Sequence, residues 1–115
     1  MRRVRVLQQA AEEAIEAAAW YKQQRTGLGA DFSQAIDIAF DLLEEEIIPL
    51  TRMPGVGGAR GAKRLVLKRF PYDIVVREFP EEIIVVAVAH HSRRPGYWRK
   101  RLRSSPSQGK AKFDD

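Results

Sequence analysis

The run His90-His91-Ser92-Arg93-Arg94-Pro95-Gly96-Tyr97-Trp98 gathers two imidazoles, two guanidiniums, a phenol and an indole into one short segment. Imidazole titrates near neutrality without help from its surroundings, so His90 and His91 are candidate acid–base groups. Arg93 and Arg94 can hold an anion through charge-assisted hydrogen bonds, and Tyr97 can donate a proton or stack. The same residues also have plain structural uses. One histidine can cap a strand end while the other stays solvated, and Tyr97 and Trp98 can pack on a sheet. Two adjacent histidines fall short of a metal-ligand set, so neither a metal nor a cofactor is expected.

Arg99, Lys100, Arg101 and Arg103 prolong this segment, and the net charge of +5 is unevenly spread. Residues 1–60 carry 7 Lys/Arg against 9 Asp/Glu, whereas residues 61–115 carry 13 against 6. A basic half of this kind suits a polyanion or an acidic protein segment. Arg93, Arg94, Tyr97, Trp98, Arg99 and Arg101 therefore form a candidate binding surface, through phosphate contacts and stacking or through docking of an acidic partner. Lys68 and Arg77 are candidates to contribute from neighbouring strands; alternatively, Arg77 pairs with a cross-strand Glu.

Apolar strands must position this cluster. Tyr72, Ile74, Val76 and Glu78 share one face of a strand, with Asp73, Val75, Arg77 and Phe79 on the other. Pro80-Glu81-Glu82 supplies a reversal, and Ile83–His90 is apolar on both faces, as a covered central strand requires. Its even-numbered face ends in His90, so His91 falls on the other face. Lys63–Arg69 alternates as a further strand, with Leu65 and Leu67 opposite Val66 and Lys68. At the N-terminus Val4 and Val6 alternate with Arg3 and Arg5, a short strand with one wet face.

Between these strands lie two helices. Ala11, Ala14, Ile15, Ala18 and Tyr21 form one apolar stripe, with Glu12, Glu13 and Glu16 outside it and Trp20 and Tyr21 expected in the core. After Gly27 and Gly29, a second stripe runs through Leu28, Phe32, Ala35, Ile36, Ala39, Leu42 and Leu43, ending in a solvated Glu44–Glu46 turn before Pro49 and Pro54. Residues 49–62 read as a flexible Gly-rich connection that lacks the spacing of a phosphate loop. Residues 104–115 read as a disordered tail. The expected architecture is α+β in the order β-α-α-β-β-β. An αα-hairpin packs on a small, mainly antiparallel sheet, in a single domain over residues 1–103.

Composition narrows the function classes. The chain of 115 residues suffices for one core, and its longest apolar run is strand-sized, too short to span a bilayer, so no membrane role is expected. MRRVRVLQQA lacks the apolar stretch of a secretory signal, and the absence of cysteine excludes a disulfide framework and a thiolate zinc site. A cytoplasmic location fits.

Phe70-Pro71-Tyr72-x-Ile74, Gly-Leu-Gly opening the second helix, and Ala87-Val88-Ala89-His90-His91-Ser92-Arg93-Arg94-Pro95-Gly96-Tyr97-Trp98 together resemble the RelE/ParE superfamily of bacterial toxins, over about residues 2–103. They look most like its ParE-type, plasmid-stabilisation members. The resemblance implies a small cytosolic toxin of a type II toxin–antitoxin module, neutralised by a cognate antitoxin that wraps it with a helix or strand. RelE-type members cut mRNA in the ribosomal A site without a metal, which needs a base, an acid and cations. ParE-type members are described as poisoning DNA gyrase. RelE-like toxins commonly place an Arg after the aromatic that opens the third strand; here Asp73 follows Tyr72, and a carboxylate there would repel substrate phosphate. The resemblance therefore favours a gyrase inhibitor whose basic segment docks an acidic antitoxin. The alternatives are an endoribonuclease using His90, His91, Arg93, Arg94 and Tyr97, and an inactive homologue that retains antitoxin binding.

Overall fold

In the computed structural model described here, residues 2–46 and 49–104 are placed, together with the backbone of Phe113 and Asp114. The alternating N-terminal residues form strand β1 (Arg3–Leu7), which runs directly into helix α1 (Gln8–Gln24). Gly27, at φ 85°, turns the chain into helix α2 (Leu28–Glu45). A hydrogen atom is all that fits at Gly29, because a Cβ there would lie 2.6 Å from the Ala18 carbonyl oxygen; the αα-hairpin crosses at this point. Strand β2 (Thr51–Arg52) and a short helix α3 (Gly55–Ala59) precede strand β3 (Ala62–Val66). The hairpin of strands β4 (Tyr72–Glu78) and β5 (Glu82–His90) follows, then a 3-10 helix over Arg99–Arg103 and a two-residue strand β6 (Phe113–Asp114).

The strand order is β2-β3-β4-β5-β1-β6. Pairing is antiparallel throughout the hairpin side, while β1 runs parallel to both β5 and β6. The central position of β5 explains its sequence, since every residue from Glu82 to Ala89 is buried. The hairpin packs on one face of the sheet. Tyr21 and Phe32 from the helices meet Phe70 and Tyr72 with centroids 5.0–6.4 Å apart. Edge-to-face contacts of this kind add about 0.5–1.5 kcal/mol each beyond the area they bury. The opposite face carries a second apolar layer in which Val75, Ile84, Val86 and Ala87 are covered by Trp98 and Leu102.

Several sequence expectations are corrected by this packing. The buried stripe of α1 runs through Ala10, Ala17 and Tyr21, so Ile15 is 69% exposed and Trp20 55% exposed. The β1 face expected to be wet is closed at Arg5, which is buried and paired with buried Glu82 of β5 at 3.5 Å. The glycine-rich connection is built rather than slack, because Gly57 and Gly58 are buried within α3. A Cβ on Gly57 would stand 2.5 Å from Trp98 Cη2, and one on Gly58 only 1.6 Å from the Met53 carbonyl oxygen. Helix propensity is poor for Gly-Val-Gly-Gly-Ala, and tertiary contact overrides it. Strict alternation also fails in β5. Val75 pairs with Ala87 and Val76 with Val85, so Val86 is an extra residue and the facing parity inverts there. The expected disordered tail lies mostly outside the described residues; within it, Phe113–Asp114 pairs with β1.

Candidate functional site

The two histidines leave β5 on opposite faces. His90 lies on the helix side, its ring edge-on to Tyr72 at 4.9 Å. Its Nδ1 accepts a hydrogen bond from the Ser92 backbone N–H at 2.9 Å, with the Ser92 hydroxyl oxygen 2.8 Å away. A neutral ring held in this way carries its proton on Nε2. His91 turns to the other face, where its Nε2 donates to Asp73 Oδ1 at 2.9 Å. Arg64 Nη1 donates to the second oxygen of the same carboxylate at 3.3 Å. Asp73 is buried on the sheet face opposite Tyr72, where Arg64 balances its charge. The repulsion expected of Asp73 toward a phosphate is therefore offset locally.

Beyond His91 the chain folds back as an arm over the open edge of β5. Pairing with β1 stops at Val85, because β1 gives way to α1, and the backbone groups beyond it need other partners. Glu13 of α1 supplies one, its Oε1 accepting from the Val88 N–H at 3.0 Å. Arg101 supplies another, its Nη1 donating to the Val86 carbonyl at 3.0 Å. Arg101 also grips Glu13, Nη1 to Oε1 at 3.0 Å and Nη2 to Oε2 at 3.3 Å. Tyr97 completes the clasp, its hydroxyl donating to Glu13 Oε2 at 2.6 Å. Burial, and then the adjacent Glu13 carboxylate, push the Tyr97 phenol well above its ordinary range. The guanidiniums of Arg93 and Arg101 lie 4.1 and 5.3 Å from the Tyr97 ring centroid. Burial likewise raises the Tyr72 phenol, with Arg93 opposing.

This geometry sorts the expected site residues. Trp98 is 2% exposed and packs on Gly57, so it is corrected from a partner contact to a core anchor. Arg77 donates to the Leu102 carbonyl and stacks 5.0 Å from Phe79, fastening the arm to β4 rather than facing a partner. Arg101 is spent on the clasp in the same way. Lys68, Arg93, Arg94 and Arg99 are exposed, together with Lys100 and Arg103. The histidine–arginine–tyrosine set expected for catalysis is split between the two faces of the sheet. His91 is across the sheet from His90, and the Tyr97 hydroxyl is committed to Glu13. Sequence reasoning missed Glu13, which it placed outside the apolar stripe. The available signal was its spacing from Ala10, Ala17 and Tyr21, which sets a carboxylate amid the inward-facing alanines.

At the far end of the sheet, Glu78 is bonded by Lys63 at 2.6 Å and Arg2 at 2.7 Å. Burial would raise its carboxyl, but those two cations outweigh it and hold the group below the ordinary value. They line a cavity of about 200 Å³ with Leu43, Leu50 and Ile83, where the charges already satisfy one another. Among the described residues, no group of three or more His, Asp or Glu could hold a metal ion, and no helix is long and apolar enough to cross a membrane.

No protein-family model matches the sequence, and no curated protein matches it significantly. Among solved structures, a chain of the chromosomal ParDE TA system from P. aeruginosa matches with a TM-score of 0.58 at 18% identity, over 78% of this chain and 96% of that one. The fold is RelE/ParE-like. The helical hairpin, the mixed sheet and their order agree with the α+β architecture expected from the sequence. On this ParE-like frame the C-terminal arm is the part whose exposed side chains are most uniformly basic.

Proposed function

We propose that the protein is the toxin of a type II toxin–antitoxin module, acting in the cytoplasm by binding an essential protein such as DNA gyrase. A cognate antitoxin neutralises it by laying an acidic segment on the arm. The observation that carries this reading is the division of labour in the arm. Trp98, Leu102, Tyr97 and Arg101 anchor it, while Arg93, Arg94, Arg99, Lys100 and Arg103 remain on its surface. A rigidly held row of exposed cations serves recognition and steering of an acidic partner. The likeness to a chain of a TA system supports the same reading. Against hydrolysis stand the separation of the two histidines and the engagement of the Tyr97 hydroxyl.

The rival reading is a metal-independent endoribonuclease. It is favoured by His90, whose Nδ1 is capped so that Nε2 bears the proton beside Tyr72, with Arg93 close by on the Tyr97 ring. Inducible expression in a bacterial host, scoring growth, mRNA ends and plasmid supercoiling together, separates the readings. Growth arrest with supercoiling defects or DNA breaks and intact mRNA is the expected result. Codon-positioned mRNA cuts that vanish in His90→Ala would replace it with the nuclease. Unimpaired growth with the folded protein present would leave an inactive homologue that keeps its antitoxin.

A further inference from the structure

We infer that the outward face of α1 is a second docking surface, and that its occupant is a basic amphipathic helix. Glu12, Ile15, Glu16, Ala19, Trp20 and Gln23 follow one another at spacings of three and four, or adjacent to such a step, and all are exposed. Ile15 and Trp20 are each more than half exposed, although the inward face of the same helix already fills the core with Ala10, Ala17 and Tyr21. The Trp20 indole is not loose. It stands edge-on to buried Tyr21 at 5.1 Å, so one ring edge is packed while the rest of the indole faces outward.

Charge selects the occupant. Residues 8–46, which hold both long helices, carry nine Asp/Glu and two Lys/Arg, whereas residues 49–104 carry thirteen Lys/Arg and four Asp/Glu. The molecule is therefore polarised, with an acidic helix layer and a basic sheet and arm. A helix with apolar residues at i, i+3, i+4 and i+7 presents a stripe that can cover Ile15, Ala19 and Trp20, and lysines or arginines on its flanks meet Glu12 and Glu16. The same cations are repelled from the arm, so one partner class cannot occupy both faces. Pairing of α1 with α1 of a second copy is disfavoured, because it brings Glu12 and Glu16 against their own kind. The surface shares no residue with the arm, which is fixed to α1 at the inward-turned Glu13, and its occupancy does not depend on the toxin reading.

The test uses the full chain and two synthetic helical peptides with the same Leu stripe, one flanked by Lys and one by Glu. Trp98 is buried, so a change in tryptophan emission reports Trp20. The Lys-flanked peptide should bind and shift that emission to the blue, and the Glu-flanked one should not. Ile15→Ser and Glu16→Lys, both at exposed positions and checked for unchanged circular dichroism, should each weaken binding about tenfold or more, while Arg94→Glu leaves it unchanged. No emission shift with the Lys peptide, or affinity indifferent to both α1 variants, would overturn the inference. A concentration-dependent dimer in sedimentation that Ile15→Ser dissolves would assign the face to a second copy instead.

Discussion

Glu13 and Tyr97, 84 positions apart in the chain, are joined by a hydrogen bond of 2.6 Å that fixes the C-terminal arm to the first helix. The carboxylate also serves Arg101 and the Val88 N–H, so one acidic residue satisfies a strand edge and an arm at once. Glu13→Ala leaves a buried N–H and a largely buried guanidinium without that partner, and should cost about 2–4 kcal/mol. Tyr97→Phe removes one charge-assisted bond and should cost about 1–2 kcal/mol. In urea titrations the double variant should lose less than the sum of the two, because both changes break the same contact.

The pH dependence of stability follows from the phenols. Tyr97 ionises with more difficulty in the folded protein than in the unfolded chain, where its value is about 10. The folded state then holds more protons than the unfolded one, and stability falls as pH rises above about 10 toward the raised folded value. Thermal melts should show this decline, and it should be shallower in Tyr97→Phe. Glu78 acts in the opposite sense. Its carboxyl is lowered on folding, so its contribution is present at neutral pH and is lost as pH falls below the ordinary carboxylate value; Glu78→Gln should flatten that acid limb.

The two buried glycines of α3 should rank clearly. Gly57→Ala meets the tip of the Trp98 ring, which can shift, so a loss of about 1–3 kcal/mol and a weakened near-ultraviolet signal from Trp98 are expected. Gly58→Ala meets the backbone carbonyl of Met53, which cannot yield without moving β2. Its melting temperature should fall further, and the variant should be the harder of the two to recover folded.

Reversing charge on the arm should separate recognition from folding. Arg94→Glu combined with Lys100→Glu should reduce growth arrest by at least tenfold in inducer titrations and weaken binding of an acidic antitoxin peptide, with the melting temperature nearly unchanged. His91→Ala should leave arrest intact. Its measurable effect should be a modest loss of stability, since Asp73 retains Arg64.

Much of this architecture can be read from patterning. The α2 stripe ending at Leu43, the buried β5 run and the shared face of Tyr72 and Ile74 all follow from period and apolarity. Three features do not. The bulge at Val86 carries no compositional mark, because valine suits either face of a covered strand. Helix α3 forms against local propensity because Trp98 and Met53 close over its glycines. Among ten candidate site residues, the sequence could not distinguish cations that hold the arm, Arg77 and Arg101, from cations the arm displays, Arg93 and Arg94. That distinction depends on where backbone carbonyls of Leu102 and Val86 lie after folding.

The parallel pairing of the first strand with the last strand of the hairpin sets a timetable for synthesis. Arg3 is made roughly 80 residues before its partner Glu82, so at about 5–20 residues per second β1 waits about 4–16 s for the strand it needs. The Glu13 clasp waits longer still, until Arg101 has left the ribosome. A nascent chain thus carries its helices well before its basic arm is fixed in place. Whatever the arm binds, it is presented only after the helical hairpin and the strands beneath the arm have been made.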